Sequence, residues 1–209
     1  MAPIICSVMA VPSSLVLETA RLLLRPYRRR DVMSIHDAVL ASLPDLVPWL
    51  PWATGYNRAS AVHFVRESQS AWQEGRAYDF TIRRLDHRGS DDGMGPADPG
   101  RHLGGISIWY TSRANMVGEI GYWVRSDLTG RGVCTEAAGR VLRYGFDELD
   151  LHRIALRIAV GNRASERVAE KLGFLLEGTL RDEVKVGSTW LDHTVWGMLE
   201  GEWRRRGRR

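Results

Sequence analysis

The stretch Gly118-Glu119-Ile120-Gly121-Tyr122-Trp123-Val124, Arg125-Ser126-Asp127-Leu128, Thr129-Gly130-Arg131-Gly132-Val133-Cys134-Thr135-Glu136-Ala137 predicts a strand, a glycine-rich turn and the start of a helix. The first turn of a helix leaves several backbone N–H groups unpaired at the positive end of the helix dipole. Gly130 and Gly132 carry no Cβ atom that would keep a large anion away. The stretch therefore predicts a phosphate or pyrophosphate bound by main-chain amides, with an ordinary glycine-rich turn as the alternative.

Two common nucleotide-binding loops are excluded by the residues that follow Gly132. A Walker loop requires Gly-Lys-Ser/Thr, whereas Val133 and Cys134 follow this glycine. A dinucleotide-binding fingerprint requires a third glycine at the position of Thr135.

Two later segments extend the pattern. A predicted strand at residues 153–160 is followed by Gly161-Asn162-Arg163-Ala164-Ser165 and then by Glu170-Lys171-Leu172-Gly173-Phe174. Together with residues 118–137, these segments resemble the GCN5-related N-acetyltransferase (GNAT) superfamily, and most of all its branch of ribosomal-protein N-terminal acetyltransferases (RimJ/RimL type). Further marks of that branch are Leu17-Glu18-Thr19-Ala20-Arg21-Leu22, Leu24-Arg25-Pro26, Leu176-Glu177-Gly178 and Trp190-Leu191-Asp192-His193. The resemblance covers about residues 15–203.

The resemblance implies an α/β fold of mixed α+β type. It consists of one GNAT-like domain whose central mixed, mostly antiparallel sheet has about seven strands, is splayed between strands 4 and 5, and is flanked by helices. The hydrophobic patterns agree, with strands expected at 15–26, 78–85, 103–110, 117–124 and 153–160 and a last hairpin around Gly187 and Ser188. Helices are expected at 31–42, 58–75, 136–149 and 164–172. We expect residues 1–14 to form a flexible tail, 15–203 the acetyltransferase domain, 204–209 a basic tail and 86–100 a mobile loop.

Composition places the chain among soluble globular proteins, because 44% of its 209 residues are hydrophobic and 26% are charged. It has two cysteines, Cys6 and Cys134, which predicts no disulfide framework and suits a reducing cytoplasm. The apolar run at residues 4–11 lacks the basic start of a signal peptide, and no later run approaches membrane-spanning length, so no membrane contact is expected. The net charge of +4 depends on the terminal arginines, so a solvated tail and an RNA-binding tail both stay open.

The resemblance implies acetyl-coenzyme A (acetyl-CoA) as co-substrate and no metal. In the family fold, the pantetheine arm enters the splayed sheet and pairs with free backbone groups like a missing strand. The residues implied to contact it are Tyr122, Trp123, Val124, Gly130, Arg131, Gly132, Val133, Cys134, Thr135, Asn162, Ser165, Arg167 and Lys171. Thr129 and Cys134 depart from the family pattern, but main-chain contacts should tolerate both changes. A solvated helix face is the alternative for Arg167 and Lys171.

Acetyl transfer to an amine requires a neutral amine and stabilisation of the charge that develops on the thioester oxygen. The resemblance makes Glu119 the base candidate, with a carboxylate that faces solvent or pairs with an arginine as the alternative. Ala169 occupies the position where the wider superfamily often has a tyrosine that acts as the general acid. Ser165 matches a serine of the ribosomal-protein branch, and the resemblance implies a hydrogen bond from it to the coenzyme sulfur; a helix N-cap is its alternative role. Asn162 is open to either role.

The acceptor pocket is expected to involve Trp49, Trp52, Trp123 and His193. Trp49 and Trp52 lie in a proline-rich connection that covers the acceptor side in the family fold. Structural hydrogen bonding is the alternative for His193. Cys134, at the start of a helix, is a candidate for a lowered thiol pKa. The six histidines show no metal-ligand spacing.

Three functions stay open. The first is transfer of acetyl from acetyl-CoA, by direct attack in a ternary complex, to the N-terminal α-amine of a protein of the ribosomal-protein type. An α-amine has a pKa of ~8 and demands less of a base than a lysine at ~10.4. The second is acetylation of a small-molecule amine, as in detoxification, because acceptor loops vary most. The third is a non-catalytic acyl-CoA or RNA-associated binding module. Contacts with the ribosome or a ribosomal protein, and a homodimer, also stay open.

Overall fold

The structure, a computed structural model, describes residues 11–85 and 101–206. Its eight strands are β1 Leu17–Glu18, β2 Leu22–Pro26, β3 Ala77–Arg84, β4 Gly104–Ser112, β5 Val117–Val124, β6 Arg153–Ala159, β7 Leu175–Val186 and β8 Thr189–Leu199. They form one sheet in the order β1-β2-β3-β4-β5-β6-β8-β7, in which β5 and β6 are parallel and the other neighbouring pairs are antiparallel. The helices are α1 Val32–Leu40, α2 Leu43–Leu46, α3 Arg58–Gln73, α4 Val133–Asp147, α5 Arg163–Leu172 and α6 Glu200–Arg206.

The parallel pair separates soon after it begins. β5 and β6 pair from Val117 with Arg153 to Glu119 with Ala155, and the register ends there. β5 nevertheless stays paired with β4 as far as Val124, and β6 with β8 as far as Ala159. The predicted splay is therefore confirmed as a gap between β5 and β6.

The predicted boundaries differ from the structure in the first strand and at the start of α4. The predicted first strand is two strands, because a turn at residues 19–21 interrupts it, and the Leu22 N–H donates to Thr19 Oγ1 at 2.8 Å. This division gives eight strands in place of about seven. α4 begins at Val133 and not at residue 136, because Gly132 caps it in the left-handed conformation with φ of +79°.

The two faces of the sheet are covered by two different hydrophobic clusters. Ile120 of β5 and Leu156 of β6 belong to the main hydrophobic core, which also contains Val141 of α4. On the opposite face, Trp123 packs against a second cluster formed by Tyr27, Ile35, Val39, Leu46, Ala53 and Val65. Successive residues of a strand point to opposite faces of the sheet, so β5 contributes to both clusters. The gap between β5 and β6 therefore opens to the α4–α5 side and to the α1–α3 side.

Some predicted segments lie outside the described residues. Residues 1–10, 86–100 and 207–209 do, and with them most of the predicted tail and the predicted loop. Arg204 and Arg206 belong to α6, which the sequence patterns did not predict, and Arg204 pairs with Glu200 at 2.7 Å. Among the described residues, no helix combines the length and the apolar character needed to cross a membrane.

Candidate active site

A cleft of about 1110 Å³ lies where β5 and β6 separate. Most of the site residues predicted from the sequence line it: Trp49, Glu119, Tyr122, Trp123, Val124, Gly130, Gly132, Val133, Cys134, Thr135, Asn162, Ser165, Arg167, Lys171 and His193. The fold therefore brings together residues from five separate parts of the chain.

Arg131 and Trp52 lie outside the cleft wall. The Arg131 side chain is exposed. The exposed ring of Trp52 meets that of Trp123 edge to face, with centroids 6.0 Å apart. Trp52 thus contacts a residue of the cleft wall.

The turn before α4 presents free main-chain amides to the cleft. Gly130 and Gly132 have φ of +80° and +79°, which L-residues with a Cβ rarely adopt. The first helical hydrogen bond runs from the Glu136 N–H to the Gly132 carbonyl at 2.9 Å. The N–H groups of residues 133–135 precede this bond and have no acceptor within the helix. Small residues, free amides and the positive helix end fit the pyrophosphate of coenzyme A.

A clamp between distant residues holds this turn. The Glu136 carboxylate accepts hydrogen bonds from Thr19 Oγ1 at 2.6 Å and from the Arg21 N–H and Nε at 2.9 and 2.7 Å. Arg21 Nη2 donates to the Arg131 carbonyl at 3.2 Å. The sequence motif around Thr19 and Arg21 marks the family, but the structure shows its physical role, which is to fix the start of α4.

The opened edge of β5 carries main-chain groups without a strand opposite them. The Arg125 N–H donates to the Leu103 carbonyl beside β4, so alternate residues of β5 direct their backbone groups toward β4. Tyr122 and Val124 lie between those residues and therefore direct their N–H and C=O groups toward the gap. An extended amide-bearing ligand could pair with them like a strand.

The start of α5 separates two roles that the sequence left open. The Asn162 side chain is the N-cap, because its Oδ1 accepts from the Ser165 N–H at 3.2 Å. Ser165 is not the cap and lines the cleft, and its carbonyl accepts a hydrogen bond from the Tyr122 hydroxyl at 3.4 Å. Arg167 and Lys171 follow on the same helix and add positive charge to this end of the cleft.

The other end of the cleft is acidic. Glu119 Oε2 lies 3.1 Å from Arg157 Nε, and Arg157 also pairs with Glu183. Burial raises the pKa of Glu119, and the charge of Arg157 opposes that rise. The sequence analysis did not single out Arg157 or Glu183. Strand alternation could have predicted that Arg157 shares a face with Glu119. The position of Glu183 could not have been predicted, because it depends on a register shift in β7 between Leu180 and Val184 that no sequence pattern indicated.

Aromatic rings complete the acidic end. Trp49 and Trp123 line it as expected, and so does Trp109, which the sequence analysis did not single out. A Cβ at Gly121 would lie 3.1 Å from the Trp109 ring, so the glycine makes room for it.

The expectation of a lowered pKa for Cys134 is wrong. Burial raises the pKa of this thiol to about 12. Desolvation of the thiolate thus outweighs the favourable position at the helix start. Burial likewise raises the pKa of Tyr122 well above its usual value.

His193 lies in the wall of the acidic end. Its residue is 7% exposed, and its Nδ1 is buried without a hydrogen-bond partner among the described residues. Burial lowers the pKa of His193, Glu183 counteracts this effect and Arg157 adds to it. No group of three or more described His, Cys, Asp and Glu side chains is arranged to hold a metal ion.

Comparison with known proteins shows the family. Residues 21–175 match the family model described as Acetyltransferase (GNAT) domain. The chain belongs to the GNAT acetyltransferase family. The resemblance read from the sequence is thereby confirmed.

Relatives within this GNAT family agree. The chain is 38% identical over 104 residues to the "Putative ribosomal N-acetyltransferase YdaF" of Bacillus subtilis (strain 168), a match that covers 50% of this chain and 57% of the relative. The chain thus spans little more than half the length of this curated relative. The solved structure of Mycobacterium smegmatis RimJ in complex with CoA-disulfide is 27% identical, with a TM-score of 0.73 and 90% of each chain covered.

A further solved structure supports the fold. RimL, a ribosomal L7/L12 α-N-protein acetyltransferase in complex with coenzyme A, superposes with a TM-score of 0.76 at 20% identity. The match covers 88% of this chain and 98% of RimL.

Proposed function

We propose that this GNAT protein transfers acetyl from acetyl-CoA to a primary amine, and that the acceptor is the N-terminal α-amine of a protein of the ribosomal-protein type. The observation that carries the proposal is the separation of charge along one cleft. Arg167, Lys171 and the start of α4 line one part of the cleft. Glu119 and Glu183 line another, where the single guanidinium of Arg157 pairs with both and leaves one negative charge in excess. An anionic coenzyme and a cationic amine would meet at the gap between the strands.

The coenzyme end fits coenzyme A in three respects. The free amides of residues 133–135 suit its pyrophosphate. The main-chain groups of Tyr122 and Val124 suit the two amides of its pantetheine arm, and the N–H group of one of them would stabilise the developing oxyanion. The complex of the 27% identical RimJ with CoA-disulfide supports this assignment. Acetyl-CoA supplies the activated acetyl thioester.

Direct attack in a ternary complex is favoured over an acyl-enzyme. The gap joins both faces of the sheet, so the two substrates can reach it together. The Cys134 thiol, which lines the cleft, stays protonated because burial raises its pKa to about 12. A protonated thiol is a poor nucleophile. Ser165 lines the cleft, and its hydroxyl would hydrogen-bond the leaving sulfur.

The acceptor end suits a protein N-terminus. Glu119 and Glu183 attract an ammonium group, and the rings of Trp49 and Trp123 form apolar walls beside it. The name of YdaF, a ribosomal N-acetyltransferase at 38% identity, supports a protein acceptor. An α-amine with a pKa of ~8 also requires less deprotonation than a lysine side chain.

The test is thiol release from acetyl-CoA with three kinds of acceptor. The first is a peptide with a free N-terminus and no lysine, and its matched control is the same peptide with an acetylated N-terminus. The second is the blocked peptide with one lysine, and the third is a small polyamine. We expect release with the free N-terminus and little with the others. Release with the polyamine alone would assign a small-molecule acceptor and contradict the proposal, and coenzyme binding without any release would assign a binding module.

A further inference from the structure

His193 is a buried titratable group that no contact explains. Its residue is 7% exposed, and its Nδ1 has no partner among the described side chains and backbone groups. A buried polar atom without a hydrogen bond destabilises the folded protein. A histidine that served packing alone would normally have a partner. The residue nevertheless lines the cleft that the proposed substrates would enter.

The strand register places His193 on the face of the acidic groups. His193 of β8 pairs with Ala159 of β6, two residues from Arg157. Ala155 is two residues further back and pairs with Glu119 of β5. Residues that pair or lie two apart share a face of the sheet. His193 therefore shares the face of Arg157 and Glu119.

The charged groups around the ring come from three strands. Glu183 of β7 and Arg157 of β6 both act on His193 electrostatically, and Glu119 of β5 lies beyond Arg157. On its own strand, Asp192 accepts a hydrogen bond from the Asp182 N–H at 2.8 Å. The Glu183 carboxylate therefore favours an imidazolium at this position, and the Arg157 guanidinium opposes it.

Glu119 is less suited to take a proton. Its carboxylate is paired with Arg157 at 3.1 Å, whereas His193 has no such commitment. Burial lowers the pKa of His193, which favours the neutral form of the ring.

We propose that His193 accepts, directly or through one ordered water, the proton that the acceptor ammonium loses before it attacks the thioester, while Glu119 and Glu183 bind that ammonium. This inference rests on the proposed function. The neutral amine forms the C–N bond and the C–S bond breaks. The second amine proton neutralises the departing thiolate, and the imidazolium releases its proton to solvent. The products are the acetylated amine, free thiol and one proton.

The experiment compares kcat/KM for the free N-terminal peptide at pH 7.0 and pH 9.5. The variants are His193→Gln and His193→Asn, and the matched control is His63→Gln on the exposed side of α3. Without a base, the protein depends on amine that is already neutral, which is roughly a tenth of an α-amine with a pKa of ~8 at pH 7. We expect a loss of about tenfold or more at pH 7.0 and values close to wild type at pH 9.5, where the α-amine is neutral.

A second acceptor separates base catalysis from structural damage. An aminooxyacetyl-capped peptide carries a terminal nitrogen that is neutral at pH 7, so the His193 variants should acetylate it at nearly the wild-type rate. Calorimetry with coenzyme A confirms that each variant is folded. An equal loss at both pH values and with both acceptors would overturn the role of His193, as would wild-type activity of both variants at pH 7.0. Absence of thiol release from the wild-type protein would instead overturn the proposed function.

Discussion

Replacing Glu136 by Gln is expected to lower the free energy of unfolding by about 2–3 kcal/mol, because it weakens the hydrogen bonds that the carboxylate accepts from Arg21 and Thr19. Glu136 Oε2 lies 2.7 Å from both Nε and Nη2 of Arg21. Hydrogen bonds to charged groups contribute about 1.5–3 kcal/mol each. The two side chains are 29% and 19% exposed, so solvent reduces the sum. A glutamine would also turn an N–H₂ group toward a donor, Arg21 or Thr19.

The same change is expected to weaken coenzyme binding. Arg21 also holds the Arg131 carbonyl, so its release loosens the turn before α4. Urea unfolding gives the stability of the wild type and of Glu136→Gln, and calorimetry gives the dissociation constant of coenzyme A. Glu170→Gln is the matched control, because Glu170 is an exposed residue of α5.

The loss of stability in Glu136→Gln shows whether Glu136 holds the turn before α4. For a domain of this size, about 2–3 kcal/mol corresponds to a fall in Tm of roughly 4–12 °C. Ordinary surface substitutions stay within about 0.5 kcal/mol. If Glu136→Gln unfolds within that range of the wild type and binds coenzyme A equally well, the clamp does not hold the turn and the reasoning fails.

Two other changes test the backbone and the buried charges. Gly132→Ala should lower the free energy of unfolding by about 1–2 kcal/mol, because the φ of this residue is +79°, and should raise the Kd for coenzyme A. Gly187→Ala is the control: its φ is +59° in the β7–β8 turn, so it should lower the free energy of unfolding by a similar amount and leave that Kd unchanged. Burial raises the pKa of Asp31, but hydrogen bonds from Arg25 at 2.7 and 2.8 Å and from the Arg28 N–H at 2.8 Å outweigh it, and the net pKa is lowered. Its stabilisation is therefore complete above the unfolded pKa of ~3.9 and is lost as pH falls through the lower folded value. Asp31→Asn should destabilise the protein by about 3 kcal/mol at pH 7 and flatten its loss of stability in acid, and an unchanged acid slope in urea titrations would contradict this.

The order of strands and helices could be predicted because it depends on local sequence patterns. Apolar residues repeat every two positions in β5 and at helical spacing in α3, and glycines mark the turn before α4. The predicted start of α4 was three residues late, because a glycine in the left-handed conformation can cap a helix without a capping side chain. The split of the first strand was missed because the turn at Thr19 depends on contacts with Glu136, more than one hundred residues away.

The sequence by itself determined the family and predicted a coenzyme-binding turn and the candidates Glu119, Ser165 and His193, because these depend on short motifs whose backbone conformation is local. The tertiary structure decided which of these groups are paired. The ion pairs from Arg157 to Glu119 and Glu183 depend on strand register and on the register shift in β7. The clamp from Arg21 to Glu136 depends on how α4 packs beside the turn between β1 and β2, and the unpartnered Nδ1 of His193 depends on how its strand packs. Side-chain pairing across a sheet follows from how strands align in space, and one sequence does not record that alignment.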